Sequence, residues 1–186
     1  LGSLVSITTI AMALILLMGS IDLSVEGVVG LSGVVVSFLV KNLVNSNDFG
    51  IISIPIAIIV GATFGFLNGY LYSTFKIPSF MTTLGVGFIA SGIGILITRG
   101  SPIVITDMNF RSLAVDRIGF LPNVFLFTLV VFVVLFFIQR NSILGKHIMG
   151  IGGDESIVND LGINTKKVKL FVFSTAGALY GLTGAL

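Results

Sequence analysis

Val124-Phe-Leu-Phe-Thr-Leu-Val-Val-Phe-Val-Val-Leu-Phe-Phe-Ile138 contains no charged residue and a single hydroxyl, that of Thr128. A helix made from it is apolar on every side, the pattern of a span that faces lipid. Pro122 stands just before the run and Arg140 just after it. The rest of the chain has the same character. Of its 186 residues 55% are hydrophobic and 10% charged, and the mean hydropathy is +1.13. Soluble domains carry about 25% charged residues. Hydrocarbon excludes charge and accepts long apolar helices, so these values describe an integral membrane protein. The expected fold is an all-α, polytopic helical bundle in the lipid bilayer, one transmembrane domain over residues 1–186.

The lysines and arginines behind the net charge of +2 lie between the apolar runs, which ties them to the membrane surface. No basic stripe with interleaved aromatics suggests a nucleic-acid partner. Without cysteine there is no disulfide framework and no thiolate metal site. Leu1 is not an initiator Met, and Leu4 to Met18 has neither a basic lead-in nor a small-residue cleavage site, so it is not a signal peptide. Leu186 falls inside a hydrophobic run. The expectation is a fragment of a longer protein, lacking an N-terminal span and a large C-terminal part.

Toward the N-terminus the apolar runs are Leu4 to Met18, Val25 to Val40, Ile51 to Phe75 and Phe80 to Thr98. The first is a little short for a crossing of ~20 residues. Gly19-Ser20-Ile21-Asp22-Leu23-Ser24 separates the first two, either as an ordinary connection or as a break inside the membrane whose helix ends face a water-filled path. If a helix begins at Leu23, Asp22 is its cap, and Glu26, Gly30, Gly33 and Ser37 form a polar, small face opposite Val28, Leu31 and Val35. An ionised acid facing hydrocarbon is costly, so that face must meet water or another helix. The translocation-path candidates are Asp22, Ser24, Glu26 and Asn68. The competing reading is that both acids merely stabilise a helix start at the membrane edge.

Gly61, Gly65 and Gly69 recur at helical spacing, as do Ser174, Gly177, Gly181 and Gly184, giving smooth faces for close helix approach. Thr83, Gly87, Ser91, Gly94 and Thr98 form another such stripe, for packing or for lining a pore. Arg99 to Leu121 is the longest polar connection and carries too few apolar residues to cross.

Beyond Ile138 lies the other substantial polar stretch, Gly145 to Lys169. Asp154 is placed to cap a short helix from Glu155 to about Leu161, with the Glu155 charge at its positive end and Gly162 ending it. Such a helix is too short to stand alone, so flanking elements or a partner must hold it. Ile157, Val158 and Leu161 would form its apolar face. Residues 140–167 are read as one loop on the cytoplasmic side. Taken alone, it is either a docking element or a solvated basic loop.

Gly152-Gly153-Asp154-Glu155, Leu161-Gly162-Ile163-Asn164 and Lys167-Val168-Lys169 resemble the coupling loop of the ribose/xylose/galactose-type permeases of ABC importers. Gly19 to Val25, Ile77 to Gly85 and Gly100-Ser101-Pro102 are similar to other signatures of the same family, in the same order. Ser20 stands where that family usually has Gly, His147 where an aromatic is common, and Ser156-Ile157 where small residues are usual. The resemblance implies a permease subunit in the bacterial inner membrane that imports a monosaccharide or similar small polar solute by ATP-driven alternating access. Its implied partners are an ATP-binding cassette subunit, a second permease copy or homologue, and an extracytoplasmic solute-binding protein. The implied coupling residues are Gly153, Asp154, Glu155, Leu161 and Gly162.

No phosphate-cradling Gly-x-x-x-x-Gly-Lys loop is present, so ATP hydrolysis is expected on another subunit and the chain is not expected to be an enzyme. No catalytic residues, metal site or cofactor are expected, and His147 stands alone. The rival reading is a secondary carrier or channel that uses Asp22 and Glu26 for ion coupling.

Alternation of the spans puts Lys76 on the same side as residues 140–169, and Asn42 to Gly50 and Arg99 to Leu121 on the other. The cluster Lys166, Lys167 and Lys169 makes the first side cytoplasmic, although Lys41, Arg99, Arg111 and Arg117 fall opposite. In this Cys-free chain, Ser46→Cys and Asn109→Cys should react with an impermeant thiol reagent in intact cells, and Asn159→Cys only after lysis. Labelling of Asn159→Cys in intact cells would reverse the orientation.

Overall fold

The computed structural model describes residues 2–119 and 121–186. Among these, six apolar helices form the bundle: α1 (Gly2–Leu17), α2 (Val25–Leu39), α3 (Ser53–Phe75), α4 (Ser79–Thr98), α6 (Asn123–Asn141) and α9 (Thr165–Ala185). Three shorter helices lie between them: α5 (Met108–Val115), α7 (Ile143–Gly153) and α8 (Glu155–Asp160). α4, α6, α9 and α3 with its leading 3-10 turn are long and apolar enough to cross a membrane, whereas α1 and α2 are shorter. At 1.5 Å per residue the 16 residues of α1 span about 24 Å, less than a ~30 Å hydrocarbon core. The molecule is a multi-pass membrane bundle.

Within lipid, helices gain little from hiding apolar surface from one another, so close backbone packing has to hold them together. The glycine faces supply it. A Cβ placed on Gly61 would overlap the Gly177 carbonyl and sit 2.6 Å from the Gly181 nitrogen, and one on Gly65 would sit 3.0 Å from the Gly177 Cα. Gly69 faces Leu170 and Phe173 in the same way. Thus α3 and α9 touch backbone to backbone along three turns. Gly184 continues the α9 face onto Val29, Ser32 and Gly33 of α2. The α4 stripe packs as well: Gly87 lies against Leu23 and Ser24, and Gly27 of α2 lies against Gly87. The core around these contacts includes the fully buried Ile7, Ile15, Val28, Phe173 and Tyr180.

The connections gather at the two ends as alternation requires. At one end Asn42 bridges to Ile105, and the Thr106 N–H donates to the Lys41 carbonyl at 3.0 Å. At the other, Lys76 shares a cleft with Glu155, Asn159 and Lys166.

Two polar stretches are more ordered than their composition suggested. Arg99 to Leu121, expected as a plain connection, contains α5, whose Asp107 cap accepts from the Asn109 N–H at 2.9 Å, and a short antiparallel pair of Arg117–Ile118 with Leu121–Pro122. The stretch 140–167 is two helices. Ser142 caps α7 by accepting from the Gly145 N–H at 3.1 Å, and Asn164 caps α9 by accepting from the Lys167 N–H at 3.1 Å. Glycine content disguises α7, yet Gly145 and Gly152 are where its backbone meets Gln139 and Leu17, with no room for a side chain.

Gly177→Val should lower the thermal midpoint of the detergent-solubilised permease, the overlap costing about 1–3 kcal/mol or more. Gly85, with open space around its Cβ position, should accept alanine with no loss of midpoint.

Candidate functional site

Residues 18–24 interrupt the bundle below its end. Asn68, which touches this break, lies seven residues before the end of α3 at Phe75, about 10 Å along the helix axis. Backbone groups at such depth have no bulk water to bond, so side chains must take them. The Ile21 N–H donates to Ser79 Oγ at 3.0 Å, the Leu23 N–H to Thr83 Oγ1 at 2.9 Å, and the Ser24 N–H to Asp22 Oδ1 at 2.8 Å. Gly19, at φ 71°, provides the left-handed turn out of α1. The break is therefore a built element whose backbone N–H groups are taken by side chains of α4 and of its own Asp22.

Asp22 does not cap a helix starting at Leu23. The helix starts at Val25 with Ser24 at the cap position, and Asp22 Oδ1 instead braces the turn, accepting also from Ser24 Oγ at 2.6 Å. Ser24 Oγ in turn accepts from Asn68 Nδ2 at 2.8 Å. Asp22, Ser24, Asn68 and Tyr180 are each no more than 1% exposed. Among the described residues Asn68 Oδ1 has no hydrogen-bond partner, and the Tyr180 hydroxyl lies beside Asp22. Three of the four path candidates thus form one buried polar cluster. The fourth, Glu26, is exposed, as is Gly30, while Val28 and Leu31 on the opposite side of α2 are buried. Among the described residues the two acids share no hydrogen-bond partner.

Directly against the break lies the end of α7, with α8 following it. The Gly152 backbone meets Leu17 and Met18, and Gly19 faces Gly152. The α8 cap is as the sequence implies: Asp154 Oδ1 accepts from the Ser156 N–H at 2.8 Å and from Ser156 Oγ, which hold its carboxyl below the usual range. Gly162, at φ 81°, turns the chain out of α8, its N–H donating to the Asn159 carbonyl at 2.9 Å. Gly153 is exposed with open space around it. Of the expected apolar face, Val158 is buried, whereas Ile157 and Leu161 are 58% and 73% exposed and point away from the bundle.

Glu155 has a second function beyond its place at the helix start. Its Oε2 lies 2.6 Å from Lys169 Nζ on α9, and its Oε1 accepts from Thr165 Oγ1 at 3.0 Å. Lys169 Nζ also sits 4.3 Å from the centre of the Tyr72 ring. Lys169, Thr165, Tyr72 and Ser20 are functional candidates that sequence reasoning passed over. Lys169 was visible as one charge of a basic cluster and as the end of Lys167-Val168-Lys169, and nothing local marks a pairing that spans fourteen positions. Lys169, Thr165 and Tyr72 line a cleft of about 970 Å³ together with Glu155, Lys76, Asn159 and Lys166.

Burial pushes the Glu155 carboxyl up, but the hydrogen bonds from Lys169 and Thr165 and the charges of Lys169 and Lys76 outweigh it, so its pKa lies below the ordinary 4.5. A lowered carboxyl stabilises the folded contact at pH values above 4.5 and loses that contribution as pH falls through the lower folded value. A spin label on Asn159→Cys should therefore stay ordered down to about pH 4.5 and loosen below it, and Glu155→Gln should abolish that pH step.

Comparison with known proteins places this chain in a family. The family described as "Branched-chain amino acid transport system / permease component" matches residues 1–186. The ribose import permease protein RbsC of Haemophilus influenzae is 29% identical, covering 97% of this chain and 56% of the relative. The L-arabinose ABC transporter permease protein AraH of Azospirillum brasilense is 27% identical, covering 100% of this chain and 55% of the relative. RbsC of Escherichia coli K12 is 28% identical over 97% of this chain and 56% of its own length. The chain thus spans about half the length of these relatives. No solved structure matches it. The chain, a multi-pass bundle of the bacterial inner-membrane type, belongs to this ABC-transporter permease family, the one that holds the ribose and arabinose permeases.

Proposed function

We propose that this chain forms the solute-path half of the permease subunit of a bacterial ABC importer for a monosaccharide or similar small polar solute. The relatives' names, ribose and L-arabinose permeases, support the solute class. Hydroxyl-rich solutes need carboxylate, amide and hydroxyl partners to replace water, and the break carries Asp22 and Ser24, with Asn68 of α3 against Ser24 and Glu26 on the open side of α2. An exposed acid at this depth requires water or a partner helix, which suits a path between this chain and a second permease copy or homologue.

The observation that carries the mechanism is the backbone contact of Gly152 with Leu17 to Gly19, which sets the end of α7, next to α8, directly against the break. In this reading residues 140–167 are the cytoplasmic coupling segment, with Gly153, Asp154, Glu155, Leu161 and Gly162 forming the docking element. The exposed Ile157 and Leu161 are the apolar surface that an ATP-binding cassette subunit covers. ATP hydrolysis belongs to that subunit. Its closure shifts α8, α7 follows, and the break opens to one side or the other, alternating access to solute delivered by an extracytoplasmic binding protein.

Gly162→Val tests the docking element. The site has open space for a side chain, so the defect is conformational: a β-branched residue at φ 81° costs roughly 1–2 kcal/mol and disfavours the end of α8. Membrane integration should be normal, while co-purification of the ATP-binding subunit and solute uptake fall. Gly162→Asn, which tolerates the left-handed conformation, should restore most of both. Wild-type uptake by Gly162→Val would sink the docking assignment.

A further inference from the structure

One continuous line of polar contacts joins α8 to the break. Glu155 on α8 holds the Lys169 ammonium on α9 at 2.6 Å, and that ammonium lies 4.3 Å from the Tyr72 ring centre on α3. The Tyr72 hydroxyl accepts a hydrogen bond from Ser20 Oγ of the break at 3.1 Å. Asn68, one turn away on the same helix, grips Ser24. The face of α3 thus holds the break at two points, and one of them lies in the reach of Lys169.

Lys169 is an unusual residue to find there. Its side chain is 7% exposed, against 41% for Glu155, and theirs is the only ion pair among the described residues. A buried ammonium deprived of its carboxylate is strongly disfavoured, so Lys169 must either follow Glu155 or find water. The Tyr72 ring is held on one side by this cation and on another by the Phe173 ring, edge to face at 5.7 Å. α3 and α9 are locked to each other through their glycines, so Lys169 and Tyr72 stand on one frame between α8 and the break.

We propose that Lys169 is a positioning residue that latches Tyr72, and through Tyr72 the Ser20 end of the break, according to where α8 stands. With Glu155 in its present place, the ammonium sits on the ring and the ring holds Ser20. When α8 is drawn outward, Glu155 takes the ammonium off the ring, the cation–π contact is lost, and Tyr72 turns free of Ser20. These are two discrete arrangements of one side chain, biased from both ends, as energetic coupling requires. The proposal rests on the reading of α7–α8 as the docking element.

The test uses the complete transporter in proteoliposomes, with its ATP-binding subunit and binding protein, and reads solute imported per ATP hydrolysed. Lys169→Met keeps the stem and removes the charge, and Tyr72→Phe keeps the ring and removes the hydroxyl. Each should lower solute imported per ATP roughly fivefold or more. Lys169→Arg, which preserves both the ion pair and the stacking cation, should stay within about twofold of wild type. A wild-type ratio in either Lys169→Met or Tyr72→Phe overturns the latch. Should Lys169→Met fail to insert, Tyr72→Phe decides alone. If the wild-type permease itself does not bind an ATP-binding subunit, the docking reading fails first. If it binds and couples while the variants match it, the latch alone is wrong.

Discussion

A backbone that stops being helical inside a membrane must find partners for its N–H and carbonyl groups within the protein, and the rest of this structure depends on how residues 18–24 meet that demand. Ser79 and Thr83 of α4 take two of the N–H groups, and Asp22 takes a third from within the break. Each donor fixes a neighbour. α4 has to start close enough for its first two turns to reach the break, and Gly27 and Gly87 remove the side chains that would keep α2 and α4 apart. The carboxylate of Asp22 is thereby committed first to the fold, and its value to a solute comes from the same fixed position.

Glycine does the remaining structural work by subtraction. The α3–α9 contact is a backbone surface, with Phe173 and Tyr180 filling the space on either side. Such a contact slides poorly, because every turn is in register with a turn of its partner. The α1–α2 break and the α7–α8 pair lie outside that contact. Gly152 makes those two parts neighbours, and the pair Glu155–Lys169 ties the second of them back to the frame.

Charge placement follows the same division. Exposed lysines such as Lys166 and Lys167 sit at the end of α9, where water screens them. Lys169, one turn further along, has left water and is held by Glu155 and Tyr72. A side chain that could have reached the interface instead points into the bundle, and its cost is met only while α8 keeps its present position.

The spans, the glycine faces of α3 and α9, the Asp154 cap and the Gly162 turn were legible in the sequence, because each follows from local chemistry: hydropathy over twenty positions, spacing of small residues, or a side chain bonding two residues on. The depth of the break was not, since it depends on where Ser79 and Thr83 stand in three dimensions. Nor was α7, whose glycines weaken the helix signal yet are required by contacts with Gln139 and Leu17. Asp22 reads as the cap of a helix starting at Leu23 and Glu26 as part of its polar face, but the helix starts at Val25, with Asp22 turned into the core while Glu26 is exposed. The tie of Glu155 to Lys169 was equally hidden. Sequence by itself determined the helices and the family resemblance, because those are properties of neighbouring residues; only the tertiary structure decided which polar groups are buried together, because that is set by the packing of helices distant in the chain.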